Sequence, residues 1–155
     1  MYPAKQGEAM KAEVLPASVP HERMMLNLAL FHFLLPIVAL ASGFVLPVLG
    51  LALAGSLASI GWIAWMVSHH HFVDDRVKQH WQLAWRHCRW LLYAYAVSAG
   101  IMLLGFALSL FQGDGNMAEI IVVIFSRLAV VPTLLMVLVL FVLETSALAE
   151  SRKGN

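Results

Sequence analysis

The stretch SHHHFVDDRVKQHWQLAWRHCRW, residues 68–90, gathers five of the chain's seven histidines, three of its five tryptophans and its only cysteine. Imidazole and thiolate are the side chains that bind transition metals, and imidazoles are the usual axial ligands of a membrane haem b. His69, His70 and His71 are consecutive, while His80 and His87 stand seven apart and so share one face of a helix. Zinc motifs, however, use paired ligands at set spacings, and none is present here. Adjacent helical side chains diverge by about 100°, so at most two of the three consecutive histidines would reach one ion. The segment therefore reads as polar interface rather than as a metal site.

Haem b is the stronger chemical alternative. His32 is the one histidine inside an apolar run, about 10 Å from its start, and no other run offers a histidine at that depth. Pairing His69 or His70 with His87 at the end of the apolar zone is geometrically better. His32, His69, His70 and His87 are thus the candidate haem ligands. The plainer reading of His32 is a neutral imidazole bonded across a helix interface to Asn27 or a nearby serine.

The elements that carry these residues are set by composition. Of 155 residues, 61% are hydrophobic and 12% charged, whereas soluble domains carry about 25% charged residues. Charges are absent from residues 24–68 and 90–113, and a bilayer core of roughly 30 Å is crossed by about 20 apolar residues. The chain is expected to be an all-α integral membrane four-helix bundle. Spans are placed at about 25–44, 48–68, 90–111 and 120–143, within a transmembrane domain of 24–145. Residues 1–23 read as a flexible tail and 146–155 as a second tail. Ser42-Gly43 with Pro47 turns the first span into the second, and QGDGN, 112–116, separates the last two. Pro36 and Pro132 are expected to bend their helices. Small residues at Ala52, Gly55, Ser56 and Ser59, and at Ser98, Gly100 and Gly105, allow close helix approach.

Basic residues orient the bundle. Lys5, Lys11, Arg23, Arg76, Lys78, Arg86, Arg89, Arg152 and Lys153 all fall on one side of such a topology, and basic loops stay cytoplasmic. Both termini and the histidine segment are accordingly expected in the cytoplasm of a bacterial inner membrane. No glycine or proline interrupts residues 72–99, and Val73, Val77, Trp81, Ala84, Cys88 and Leu91 recur at helical spacing. This predicts an amphipathic interfacial helix feeding the third span. Trp62, Trp65, Trp81, Trp85 and Trp90, with Arg76, Lys78, Arg86 and Arg89, would form a membrane-interface belt.

Arg127 is the remaining anomaly, eight residues beyond Glu119. It is either an intramembrane charge, hence functional, or a snorkelling residue below a span that starts at Leu128. No phosphate loop, HExxH, GxSxG elbow or quinone-site signature is recognisable, so no enzymatic activity is expected. The histidine in the first span, the short hairpin, the tryptophan late in the second span and FVDDRVKQHWQLAW entering the third resemble small bacterial four-helix membrane proteins related to the chloroplast Tic translocon channel family. The resemblance covers about residues 28–110 and implies the same four-helix topology. His80-Trp81 stands where that family carries an asparagine-phenylalanine pair. The function expected is an accessory, assembly or structural partner of a membrane complex, contacting lipid and other membrane subunits or itself, without nucleic acid and without chemistry of its own. The alternatives are a haem b redox subunit and a small transporter or channel around Arg127.

Overall fold

The computed structural model describes residues 16–153, and all the regular structure among them is helical. Helix α1 (Val19–Asn27) passes without a break into a π-helical turn (Leu28–Leu34) and α2 (Leu35–Ser42). These are followed by α3 (Val45–His69), α4 (Asp75–Leu110) and α5 (Gly115–Arg152). The α1–α2 unit and the three later helices are each long and apolar enough to cross a membrane. This is the geometry of a multi-pass membrane protein.

Local chemistry explains the boundaries. Pro20 lies in the first turn of α1, where its missing N–H has no helical partner to forgo. Pro36 cannot donate to the carbonyl of His32, and its ring would strike that carbonyl in a regular helix. The π turn directly ahead, in which Leu35 N–H bonds the Leu30 carbonyl, inserts the extra residue that relieves this clash. Gly43 adopts φ +74°, a left-handed conformation open to glycine, and so ends α2 and reverses the chain into α3. Asp74 and Asp114 cap α4 and α5 alike, their Oδ1 atoms accepting the N–H groups of Arg76 at 2.8 Å and Asn116 at 2.9 Å.

Three boundaries differ from those read in the sequence. The first helix begins at Val19, so its opening residues, expected in the tail, are helical. Residues 1–15 of that expected tail, with Lys5 and Lys11, lie outside the described residues. The last helix runs on to Arg152, through most of the second tail. Most consequentially, no separate interfacial helix forms among the described residues, because Asp75–Leu110 is one helix of 36 residues. At 1.5 Å per residue it is about 54 Å long, well beyond a hydrocarbon layer of roughly 30 Å. Its apolar face, Val77, Trp81, Ala84, Cys88 and Leu91, is buried in the protein core rather than turned to headgroups. Helical periodicity identifies an apolar face but not what covers it.

Helices α4 and α5 form the most extensive contact, as an antiparallel pair. Their register is fixed by Phe125 on Gly105, by Ser98 bonded to Thr133 at 2.8 Å and by His87 bonded to Glu144 at 2.6 Å. A Cβ at Gly105 would lie 2.2 Å from Phe125 Cβ, so this approach needs glycine. The core, with Met24, Leu28, Ile63, Leu91 and Leu140, fills the space between α1, α3, α4 and α5. The outer faces carry exposed leucine, valine, isoleucine and phenylalanine, as a surface solvated by lipid does. Pro132 lies inside α5 without ending it.

Candidate functional site

A buried carboxylate organises the end of the bundle where α1 and α4 begin and α5 ends. Glu144 is fully buried on α5. Its Oε2 accepts from His21 Nδ1 of α1 at 2.6 Å, and its Oε1 accepts from His87 Nδ1 of α4 at 2.6 Å. His21 Nε2 in turn lies 3.0 Å from His80 Nδ1, with the two rings edge to face. His21 and Glu144 are both 0% exposed and His87 is 3% exposed, while His80 is partly open to solvent.

Both histidines that face the carboxylate carry a proton on Nδ1, since an ionised carboxylate only accepts. One further proton lies on the line between His21 Nε2 and His80 Nδ1, and on either ring it makes that contact a hydrogen bond. The cluster ties three helices together through one hydrogen-bonded network.

Helical spacing brought the participants together. On α5, Val137, Leu140, Glu144, Ala147 and Ser151 form one buried stripe. On α1, Met24 and Asn27, with Leu28 just beyond at the start of the π turn, continue the buried face of His21. Sequence reasoning missed both His21 and Glu144. The available signal was that Glu144 falls on the three- and four-residue rhythm of an otherwise apolar inner face, where a carboxylate requires a partner.

A second polar group lies deeper, beyond a plug made by Met24, Leu28, Cys88 and Leu91, all 0% exposed. Cys88 Sγ contacts Met24 Sδ at 3.7 Å and is shielded from solvent. Here His32 Nε2 meets the Tyr95 hydroxyl at 2.5 Å, and the same hydroxyl meets Ser56 Oγ at 2.8 Å. His32 Nδ1 lies 3.4 Å from the Asn27 carbonyl. Asn27 and a serine are therefore both in the His32 network, the serine through Tyr95. The buried Asn27 Oδ1 has no hydrogen-bond partner among the described residues.

Beside this group is a cavity of about 370 Å³. His32, Tyr95 and Thr133 supply its polar groups, and Phe31, Pro36 and Leu49 are among its apolar walls. Its volume lies within the range of small-molecule sites, about 300–1,000 Å³.

The other residues singled out in the sequence are dispersed. His69 is exposed, lies 2.7 Å from Ser68 Oγ and stacks on Trp65. His70 is exposed and touches Phe72. No hydrogen bond or ring contact joins any two of His32, His69, His70 and His87 among the described residues. No group of three or more His, Cys, Asp or Glu is placed to hold a metal ion among them either. Of the tryptophans, Trp62, Trp65 and Trp90 are exposed and Trp85 is half-buried. Trp81 is 1% exposed and packs against Phe72, so it is a core residue rather than an interface one. Arg23 stacks over Trp62 and Arg86 over Trp90, while Arg76, Lys78 and Arg89 are exposed. Arg127 is exposed on the outer face of an unbroken α5 and does not line the cavity.

No family model, no curated protein and no solved structure matches this chain.

Proposed function

We propose that this chain is a four-span protein of the bacterial inner membrane that serves as an accessory or assembly partner of a larger membrane complex, either with other subunits or with copies of itself. In this reading the histidine end is cytoplasmic, in keeping with the placement of the basic residues, and kinship with the small bacterial relatives of the Tic channel family belongs to the same proposal. The observation that carries it is the Glu144 network. It ties α1, α4 and α5 together at one end of the bundle, with both carboxylate oxygens and both nitrogens of His21 engaged by neighbouring side chains. Groups committed in this way maintain shape. What this end offers outward is cationic and aromatic, with Lys78, Arg86, Arg89 and Trp90 exposed, a surface suited to anionic lipid and to protein.

The test is native mass spectrometry of the gently solubilised chain, expressed at its natural level. A companion or second copy at fixed stoichiometry is expected, and it should be lost from an Arg86→Glu/Arg89→Glu variant whose helix content is unchanged. A wild-type chain that is monomeric and without companions would refute the reading. Haem b on the boundary histidines has one observation in its favour, because His87 Nδ1 is held by a carboxylate, as ligating histidines commonly are. A Soret band in the same preparation, absent from His87→Ala, would replace the accessory reading with a redox one.

A further inference from the structure

We propose that the line from His80 through His21 to Glu144 is a one-proton binding site, loaded from the aqueous phase through His80 and closed at its inner end. Three features carry this reading: a fall in exposure along an unbroken hydrogen-bonded line, a geometry that holds one proton on either of two rings, and an apolar plug beyond.

The line runs from the surface inward. His80 is partly open to solvent, whereas His21 and Glu144 are fully buried. Its steps are 3.0 Å from His80 Nδ1 to His21 Nε2 and 2.6 Å from His21 Nδ1 to Glu144 Oε2. His21 therefore has a titratable partner on each ring nitrogen. A ring with no surface of its own exchanges protons through its neighbour, and the neighbour that reaches water is His80.

One proton separates two states that share the same contacts. In the empty state His80 donates its Nδ1–H to the bare Nε2 of His21, and its own Nε2 is bare. Hydronium or a buffer acid then gives a proton to His80 Nε2, the Nδ1–H bond of His80 breaks, and that proton forms the new N–H bond at His21 Nε2. The added charge rests on His21 against the Glu144 carboxylate, and His80 is left neutral as the opposite tautomer. Each contact in the line is a hydrogen bond in both states. A carboxylate favours the charged form of an imidazole beside it, so the counter-charge lies where the proton ends. A second proton has no place, because two N–H groups would then face each other across 3.0 Å.

The surroundings admit charge at the outer end and stop it at the inner one. His80 interacts with His21 of α1, with Arg76 one turn back on α4 and with Glu150 of α5, so a cation and an anion flank the entry. Glu144 is faced from α4 by His87 and Cys88. On α3 the core residues Ile60, Ile63 and Met66 are apolar. Beyond the line, the buried Met24, Leu28, Cys88 and Leu91 separate it from His32. The proton leaves by the way it came, and the site stores a proton instead of passing it across the bundle.

The test is ring-nitrogen NMR of the full chain, isotopically labelled at histidine and held in phospholipid nanodiscs, titrated from about pH 8 to about pH 5, where imidazoles change charge. Both faces of a nanodisc meet the buffer, so the outcome depends neither on which end is cytoplasmic nor on a companion subunit. A single step is expected in which His21 gains a second ring proton while His80 exchanges Nδ1–H for Nε2–H, at one midpoint that belongs to the pair. Glu144→Gln removes the counter-charge, and His21 should then keep a single ring proton over the whole range. Should that variant fail to fold, His80→Phe, at the partly exposed entry, carries the same expectation, because it removes both the port and the acceptor of the added proton. His21 unchanged through the titration, His80 charging alone as an ordinary surface histidine, separate midpoints for the two rings, or a step that survives either variant would each overturn the assignment.

Discussion

The two buried polar clusters of this protein use the same imidazole side chain to opposite ends. At the histidine end, His21 and His87 bond a carboxylate, His80 bonds His21, and the carboxylate is closed off by protein. At membrane depth, His32 joins only neutral hydroxyls, and its network borders a cavity. The first sets imidazoles on a carboxylate and joins three helices whose residues are far apart in sequence. The second avoids charge altogether, as hydrocarbon demands, and its polar atoms bond one another. Polarity in one place sets imidazoles on a carboxylate, and in the other it pairs neutral groups among themselves.

The comparison implies unequal sensitivity to substitution. Glu144→Ala would leave His21 and His87 with protons aimed at an apolar gap, and removing one member of a buried ion pair costs about 3–5 kcal/mol. Thermal unfolding followed by circular dichroism in nanodiscs should show the largest loss among single variants. Proteolysis within residues 75–90 should accelerate with it. A loss no larger than that of an exposed residue would break the distinction between the clusters.

Gly105→Ala should rank next. The new methyl meets Phe125 in the α4–α5 contact, and overpacking costs about 1–3 kcal/mol. Gly100→Ala, where a Cβ meets nothing within 4 Å, should be neutral or stabilising by about 0.5–1 kcal/mol. Tyr95→Phe should lower stability by only about 1 kcal/mol, the net worth of neutral hydrogen bonds. The bundle should survive. Smallest of all is Arg152→Ala, which removes a 3.1 Å contact to Glu22 between side chains 62% and 47% exposed. Solvent screening holds such a pair to about 0–1 kcal/mol.

Much of the architecture was legible because a bilayer imposes a coarse rule. Charge-free runs marked three spans and an apolar run broken only by Arg127 marked the fourth, while Gly43 and the QGDGN segment marked two of the reversals. The uninterrupted stretch from 72 to 99 announced a long helix, yet its inner face could not say whether lipid or protein covers it. Trp81 was misassigned for that reason, since a tryptophan near a boundary serves equally in a belt or in a core. The His21–Glu144 bond joins residues 123 apart, and nothing in local spacing links them. Tyr95 escaped notice for the same reason, because its role depends on His32 and Ser56 from two other helices. The π turn followed from Pro36 acting on its predecessors, a response of the backbone that apolar periodicity does not record.

The central claim is that Glu144 is a buried junction between helices, and a double-mutant cycle between His87 and Glu144 addresses it most directly. His87→Ala, Glu144→Ala and the double variant are unfolded under identical conditions in nanodiscs. A coupling energy of about 1.5–3 kcal/mol is predicted, as for directly bonded partners. Losses that add to within about 0.5 kcal/mol would mean that the two residues do not touch, and the account of that junction would fail.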